Sequence, residues 1–190
     1  MTRSNKPGQP VRPRMFLDVD GVLNAPRAGE IWGEVRKITV TFSRGAGYKE
    51  RYTLTIGLGL IDALEDLKDR LDIVWATTWC EDDAIHTLTH KLGRLRGNRA
   101  LPYPRRQAVD GTRNGLTPLF WKRDALATDL RENGPVPGFI WADDEFALAG
   151  IAPVLKEFET SSLLIKPVAD YGLTPEHLGI WASSPRSWRT

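Results

Sequence analysis

The chain has 190 residues, 41% hydrophobic and 26% charged, with 26 Lys+Arg against 24 Asp+Glu. That size and balance favour one globular core with a small insertion, and they exclude disordered, fibrous and two-core chains. No apolar run approaches the ~18 residues of a membrane span, the basic start lacks the apolar stretch of a secretion signal, and the lone Cys80 permits no internal disulfide, so the chain reads as cytoplasmic.

In chain order, residues 1–13 read as a flexible basic arm, with Arg3, Lys6 and Arg12 and no acid. Residues 14–190 read as the catalytic domain. A short apolar strand from Arg14 to Val19 runs into Asp18-Val19-Asp20-Gly21. Two β-rich runs, Ile38–Phe42 and Tyr48–Thr55, flank a Gly-containing spacer and predict a hairpin flap over residues 37–56. Leu60, Ile61, Leu64, Leu67 and Leu71 recur at helical spacing. A second strand, Ile73–Ala76, ends in Thr77-Thr78. A helix with Glu81, Asp82 and Asp83 in its first turn follows, and Gly93 closes it. Residues 94–119 form a long loop rich in Pro, Gly and Arg, with no carboxylate between Asp83 and Asp110. Then come a helix over Trp121–Arg131, a strand Phe139–Ala142 running into Asp143-Asp144, a helical turn or two over 145–150, a strand over Ser162–Lys166, and a helix opened by Thr174-Pro175. This alternation predicts a mostly parallel sheet with helices on both faces and a ligand beyond the carboxyl ends of its strands.

Three of those strands end in oxygen-bearing side chains, which parallel alignment brings to one edge. Carboxylate pairs meeting there repel unless a cation lies between them, and Mg²⁺ is the usual hard cation where phosphate is also bound. Asp18 and Asp20, two apart with Gly21 allowing a sharp turn, suit a nucleophile and a general acid/base. An Asp-x-Asp-Gly run also opens calcium loops, but Val22-Leu23 is apolar where further ligands should follow.

The run Phe16-Leu17-Asp18-Val19-Asp20-Gly21-Val22-Leu23-Asn24 resembles the first motif of the haloacid dehalogenase-like (HAD) superfamily. Ile73–Thr78 is similar to its second motif, Lys122 at a helix start to its third, and Trp141-Ala142-Asp143-Asp144 to its fourth. The resemblance implies a three-layer α/β/α Rossmann-like HAD core and an aspartyl-phosphate phosphatase. Asp18 would attack phosphorus, and Asp20 would protonate the leaving oxygen and then activate water. Asp18, the backbone carbonyl of Asp20, Asp143 and Asp144 (directly or through water) would hold Mg²⁺. Lys122 and either Thr77 or Thr78, with Thr77 preferred, would hold the phosphoryl oxygens; Arg123 is the substitute for Lys122. The other threonine would cap the following helix.

The segments between the motifs have room for a flap but not for the large caps of the superfamily, and an open site suits a bulky substrate. With the basic arm and Lys91, Arg94, Arg96, Arg99, Arg105 and Arg106, this points to a nucleotide or nucleic-acid end phosphate. The wording around Asp18 and Trp75-Ala76-Thr77-Thr78-Trp79 resembles the HAD group associated with RNA-repair proteins. The alternative is a nucleic-acid-binding module on a HAD scaffold. His86 and His90 lack the Glu of a zinc-helix motif and read as surface residues. Cys80, beside acids, reads as a packing residue. Trp75 and Trp141 belong to core strands, and Trp32, Trp79 and Trp121 lie where a base or sugar could be contacted.

Overall fold

The computed structural model describes residues 11–44, 48–104, 120–134, 136–145, 148–158 and 161–182. Short runs, apolar and buried on both faces in β1 (Arg14–Leu17), β4 (Asp72–Trp75) and β6 (Gly138–Ala142), form a five-stranded parallel sheet with the less buried β5 (Arg99–Ala100) and β7 (Ser161–Ile165) at its edges. Their order is β5-β4-β1-β6-β7, so β1 is central, with Leu17 in register with Trp75 on one side and Ala142 on the other.

Side chains alternate across a strand, so each strand feeds two cores. Met15, Leu17, Ile73, Trp75, Ile140 and Ala142 face a layer made by α2 (Leu58–Leu67), α3 (Ala84–Leu92) and a hairpin. Phe16, Val74, Phe139 and Trp141 face α4 (Trp121–Glu132) and α5 (Leu148–Phe158). The architecture is a three-layer α/β/α sandwich with a mostly parallel sheet. The hairpin pairs β2 (Val35–Arg44) with β3 (Tyr48–Gly57) as a separate antiparallel sheet. Ile38, Val40, Leu54 and Ile56 bury its inner face against the core, and no large cap is built among the described residues. No helix among them is long and apolar enough to cross a membrane.

Several boundaries depart from expectation. β1 stops at Leu17 rather than Val19, because the Asp18 carboxylate accepts the Val19 N–H at 2.7 Å and turns the chain. A five-residue helix, α1 (Ala28–Trp32), precedes the hairpin. α2 ends at Leu67, after which Lys68 bonds back three residues to the Glu65 carbonyl. Thr78–Asp83 is a 3₁₀ turn ahead of α3, not the first turn of an α-helix. Within the stretch read as one loop, Arg99–Ala100 adds β5 to the sheet edge against Val74 and Trp75. α5 runs to Phe158, well past the turn or two expected. The last helix, α6 (Pro175–Ala182), starts at the expected proline. Residues 1–10 of the arm, 45–47 of the hairpin turn, 105–119 of the basic loop and 146–147 lie outside the described residues.

Candidate active site

Backbone pairing continues one residue past the strand ends. Asp18 N donates to the Ala142 carbonyl at 3.1 Å, Ala76 N to Leu17 O at 2.9 Å, and Asp143 N to Ile165 O at 3.1 Å. This continuation sets Asp18, Thr77 and Asp143 along one edge, where they are 5%, 0% and 1% exposed. Beyond Asp18 the chain winds tightly, with Leu23 N and Asn24 N both donating to Val19 O at 2.8 Å. Gly21 makes the turn with φ +65°, and any Cβ there would overlap the Asp144 carboxylate, so the turn and the Asp143-Asp144 pair are in direct contact.

Lys122 enters this edge from the first turn of α4. Its ammonium donates to Asp18 Oδ2 and, at 2.8 Å, to Asp143 Oδ2. Asp18, Asp143 and Asp144 each offer an oxygen within 4.8 Å of the others. Burial raises the Asp18 carboxyl to about 7, with Lys122 opposing the rise and Asp143 adding to it. Burial and then Asp143 also raise Asp144. Burial pulls Lys122 down, but Asp18 and Asp143 together outweigh it and hold the ammonium above its usual range. Among the described residues three carboxyl groups, two buried and one half-buried, face a single ammonium and are short of positive charge. That all-oxygen donor set and excess charge fit a hard divalent cation such as Mg²⁺.

The Asp20 carboxylate is not one of the three. It sits at the exposed rim, where Oδ1 accepts from Asn24 Nδ2 at 2.8 Å and Oδ2 from Trp79 Nε1 at 2.7 Å. Thr78 is exposed, whereas Thr77 is buried; the Thr77 hydroxyl accepts the Trp79 N–H at 3.3 Å and its carbonyl accepts Cys80 N. Capping of the 3₁₀ turn therefore falls to Thr77, not Thr78, because the hydroxyl that ends the strand is the one facing the free N–H groups. It is Lys122 that reaches the carboxylates; Arg123 lies over the Phe120 ring at 4.5 Å and bonds Asp124. Burial pushes the Cys80 thiol up to about 11, so the cause is desolvation first, with Asp18 a smaller contributor. His86 and His90 are exposed on α3. Trp75 and Trp141 are core residues, Trp79 is 3% exposed and Trp121 is also buried, so neither of the last two offers an open ring face. Trp32 is half-buried and donates to the Leu173 carbonyl at 2.7 Å.

Asn24 had no expected role at the site, and Trp79 was expected where a base or sugar could be contacted, not as a donor to Asp20. Asn24 was inside the first motif, but nothing local shows that it turns back onto Asp20. Trp79 is 59 residues away from Asp20, and only the parallel register of β1 and β4 brings them together.

The family described as "HAD domain in Swiss Army Knife RNA repair proteins" matches residues 15–178. No curated protein and no solved structure matches the chain.

Proposed function

The chain belongs to the family of HAD domains in Swiss Army Knife RNA repair proteins, and from that premise we propose that it is a Mg²⁺-dependent phosphomonoester hydrolase acting on a nucleotide or polynucleotide end phosphate. The observation that carries this reading is the trio of buried Asp18 and Asp143 and half-buried Asp144, with Lys122 bonded to the first two and Asp20 at the rim.

In this reading an Asp18 oxygen attacks phosphorus, and the bond from phosphorus to the leaving oxygen breaks. That oxygen takes a proton from Asp20, which leaves an aspartyl phosphate. A water oxygen then attacks the same phosphorus and gives its proton back to Asp20. The bond to Asp18 breaks, and inorganic phosphate departs. Lys122 holds Asp18 in place and neutralises phosphoryl charge, with Thr77 or Thr78 as further donors. Asp18, Asp143, Asp144 and the Asp20 carbonyl would hold Mg²⁺, whose positive charge, when bound, offsets the carboxylates and the incoming phosphate.

Support for a polynucleotide comes from a different place than the loop at 94–119. Arg99 is tied to Asp129 and Asp72, Arg96 donates to the His90 carbonyl at 3.0 Å, and Arg94 pairs with Asp62 at 3.6 Å. Residues 35–57, the hairpin, carry five bases (Arg36, Lys37, Arg44, Lys49, Arg51) against one acid, Glu50. Lys37 and Arg51 are exposed. Phosphates of a strand running past the site would meet these cations.

The test is hydrolysis of p-nitrophenyl phosphate and of 3′- and 5′-phosphorylated oligoribonucleotides, with Mg²⁺ and with EDTA. Turnover should require Mg²⁺ and fall on the order of a thousandfold or more in Asp18→Asn. Oligonucleotide turnover should weaken with salt, and more steeply in the wild type than in a Lys37→Glu/Arg51→Glu variant. Activity surviving Asp18→Asn would sink the aspartyl-phosphate chemistry. Oligonucleotide binding without any hydrolysis would favour a binding module.

A further inference from the structure

We infer that the β2–β3 hairpin sets the acid/base group: Trp79 and Asn24, each anchored by β3, clamp the two oxygens of Asp20. This rests on the phosphatase reading above and adds to it positioning residues that act through Asp20.

The clamp has two arms. On one side, Asn24 Nδ2 donates to Asp20 Oδ1 at 2.8 Å, while Asn24 Oδ1 accepts the Thr55 N–H at 2.9 Å. The neighbouring Ala25 N donates to Thr55 O at 3.1 Å, so this stretch is stitched to β3 as an added edge, and Asn24 bridges to Ile56. On the other side, Trp79 Nε1 donates to Asp20 Oδ2 at 2.7 Å. The Trp79 ring is braced edge-on by Tyr52 of β3, with centroids 6.0 Å apart and planes at 71°. Tyr52 stands on the inner face of the hairpin, in register with Val40, and is 41% exposed at the mouth of the site.

An exposed Asp two residues past the nucleophile would otherwise sample several rotamers, and proton transfer needs one. Two N–H donors fix its plane while leaving each oxygen a further lone pair. Because both donors lean on β3, displacement of the hairpin by a substrate strand would move the Asp20 carboxylate with it.

The test separates positioning of an acid from general packing. Trp79→Phe removes the N–H donor and keeps a ring against Tyr52. Asn24→Asp still accepts from Thr55 N but cannot donate to Asp20. The quantity to read is kcat/KM, which reports the step that expels the leaving group. p-Nitrophenolate leaves with little protonation, whereas the sugar oxygen of a ribonucleoside 3′-phosphate needs a proton. Each variant should lose about tenfold in kcat/KM on the nucleotide and less than about twofold on p-nitrophenyl phosphate. Asp20→Asn should show the same skew more strongly. Equal losses on both substrates, or no loss on either, would overturn the clamp while leaving a wild type that needs Asp18 intact as a phosphatase. A wild type that turns over neither substrate would bring down the phosphatase reading and the clamp with it. Circular dichroism checks folding; if Trp79→Phe misfolds, the rim substitution Asn24→Asp decides the matter.

Discussion

Strand β1 carries buried charge at both of its ends, and the two ends are built differently. At its start, Arg14 lies 3.5 Å from Asp129 and 3.8 Å from Asp72, and its Nη2 donates to the Asn133 carbonyl at 2.5 Å. Arg99 grips both oxygens of Asp129 and lies 3.7 Å from Asp72. Asn133 Nδ2 adds a further bond to Asp129 at 2.9 Å. Two guanidiniums meet two carboxylates, and the network ties the end of α4 to β1, β4 and β5. At the far end, Lys122 is the one cation among the described residues that bonds Asp18 and Asp143, and Asp144 lies beside them. A charge-balanced network of this kind serves as a joint. An acid-rich one is complete only with a cation, which is what a phosphoryl-transfer site requires.

Isosteric neutralisation at each end should break this comparison or make it sharper. Asp129→Asn leaves two part-buried guanidiniums short of a counter-charge and should cost about 3–5 kcal/mol in urea unfolding. Asp18→Asn relieves crowding among carboxylates whose charged forms burial already disfavours, and it keeps an oxygen for the Val19 N–H. Its stability should stay within about 1 kcal/mol of wild type, although activity disappears. If Asp129→Asn cost no more than Asp18→Asn, the distinction between joint and site would fail.

The same comparison explains what the sequence could and could not convey. The site's strand-end residues were legible because each follows an apolar run, and parallel strands align their ends. The joint was not legible. Arg99 read as one cation in a basic stretch, because a two-residue edge strand has too little pattern to announce itself and its partner Asp129 is 30 residues away on the far side of α4. The clamp on Asp20 was hidden for a similar reason, since an indole reads as packing until the register brings its N–H to a carboxylate. Boundaries departed from expectation where side-chain capping, rather than hydrophobic spacing, set them, as at Asp18, which ends β1, and at Thr77, which caps the 3₁₀ turn ahead of α3.

A smaller effect, again opposite at the two ends, is expected from metal. Mg²⁺ at about a hundredfold excess over its Kd should stabilise the fold by about 2.7 kcal/mol, a rise in Tm of roughly 5–11 °C for a chain of this size. Asp143→Asn should abolish most of that rise by removing one of the three converging oxygens. A variant at the balanced end, Asp129→Asn, should start from a lower Tm and keep the full rise. Differential scanning fluorimetry with and without Mg²⁺ measures both. An equal Mg²⁺ response in Asp143→Asn and wild type would place the cation elsewhere.

The smallest expected effect concerns a partly buried group outside both clusters. His177, in the first turn of α6, accepts the Thr174 N–H on Nδ1 at 3.1 Å, a bond that needs that nitrogen unprotonated. Burial lowers its pKa below the usual 6.5, with Glu176 acting weakly the other way. Because the folded value is the lower one, the unfolded chain takes up the proton first as pH falls. The contribution of His177 is therefore fully present above about 6.5 and is lost progressively as the pH falls through the folded value. His177→Gln, which cannot titrate, should flatten that part of the profile, so wild type should lose more Tm than the variant between pH 7.5 and pH 5. Parallel profiles would mean that acid sensitivity arises at the carboxylate clusters alone, and the capping bond at α6 would then be indifferent to protonation.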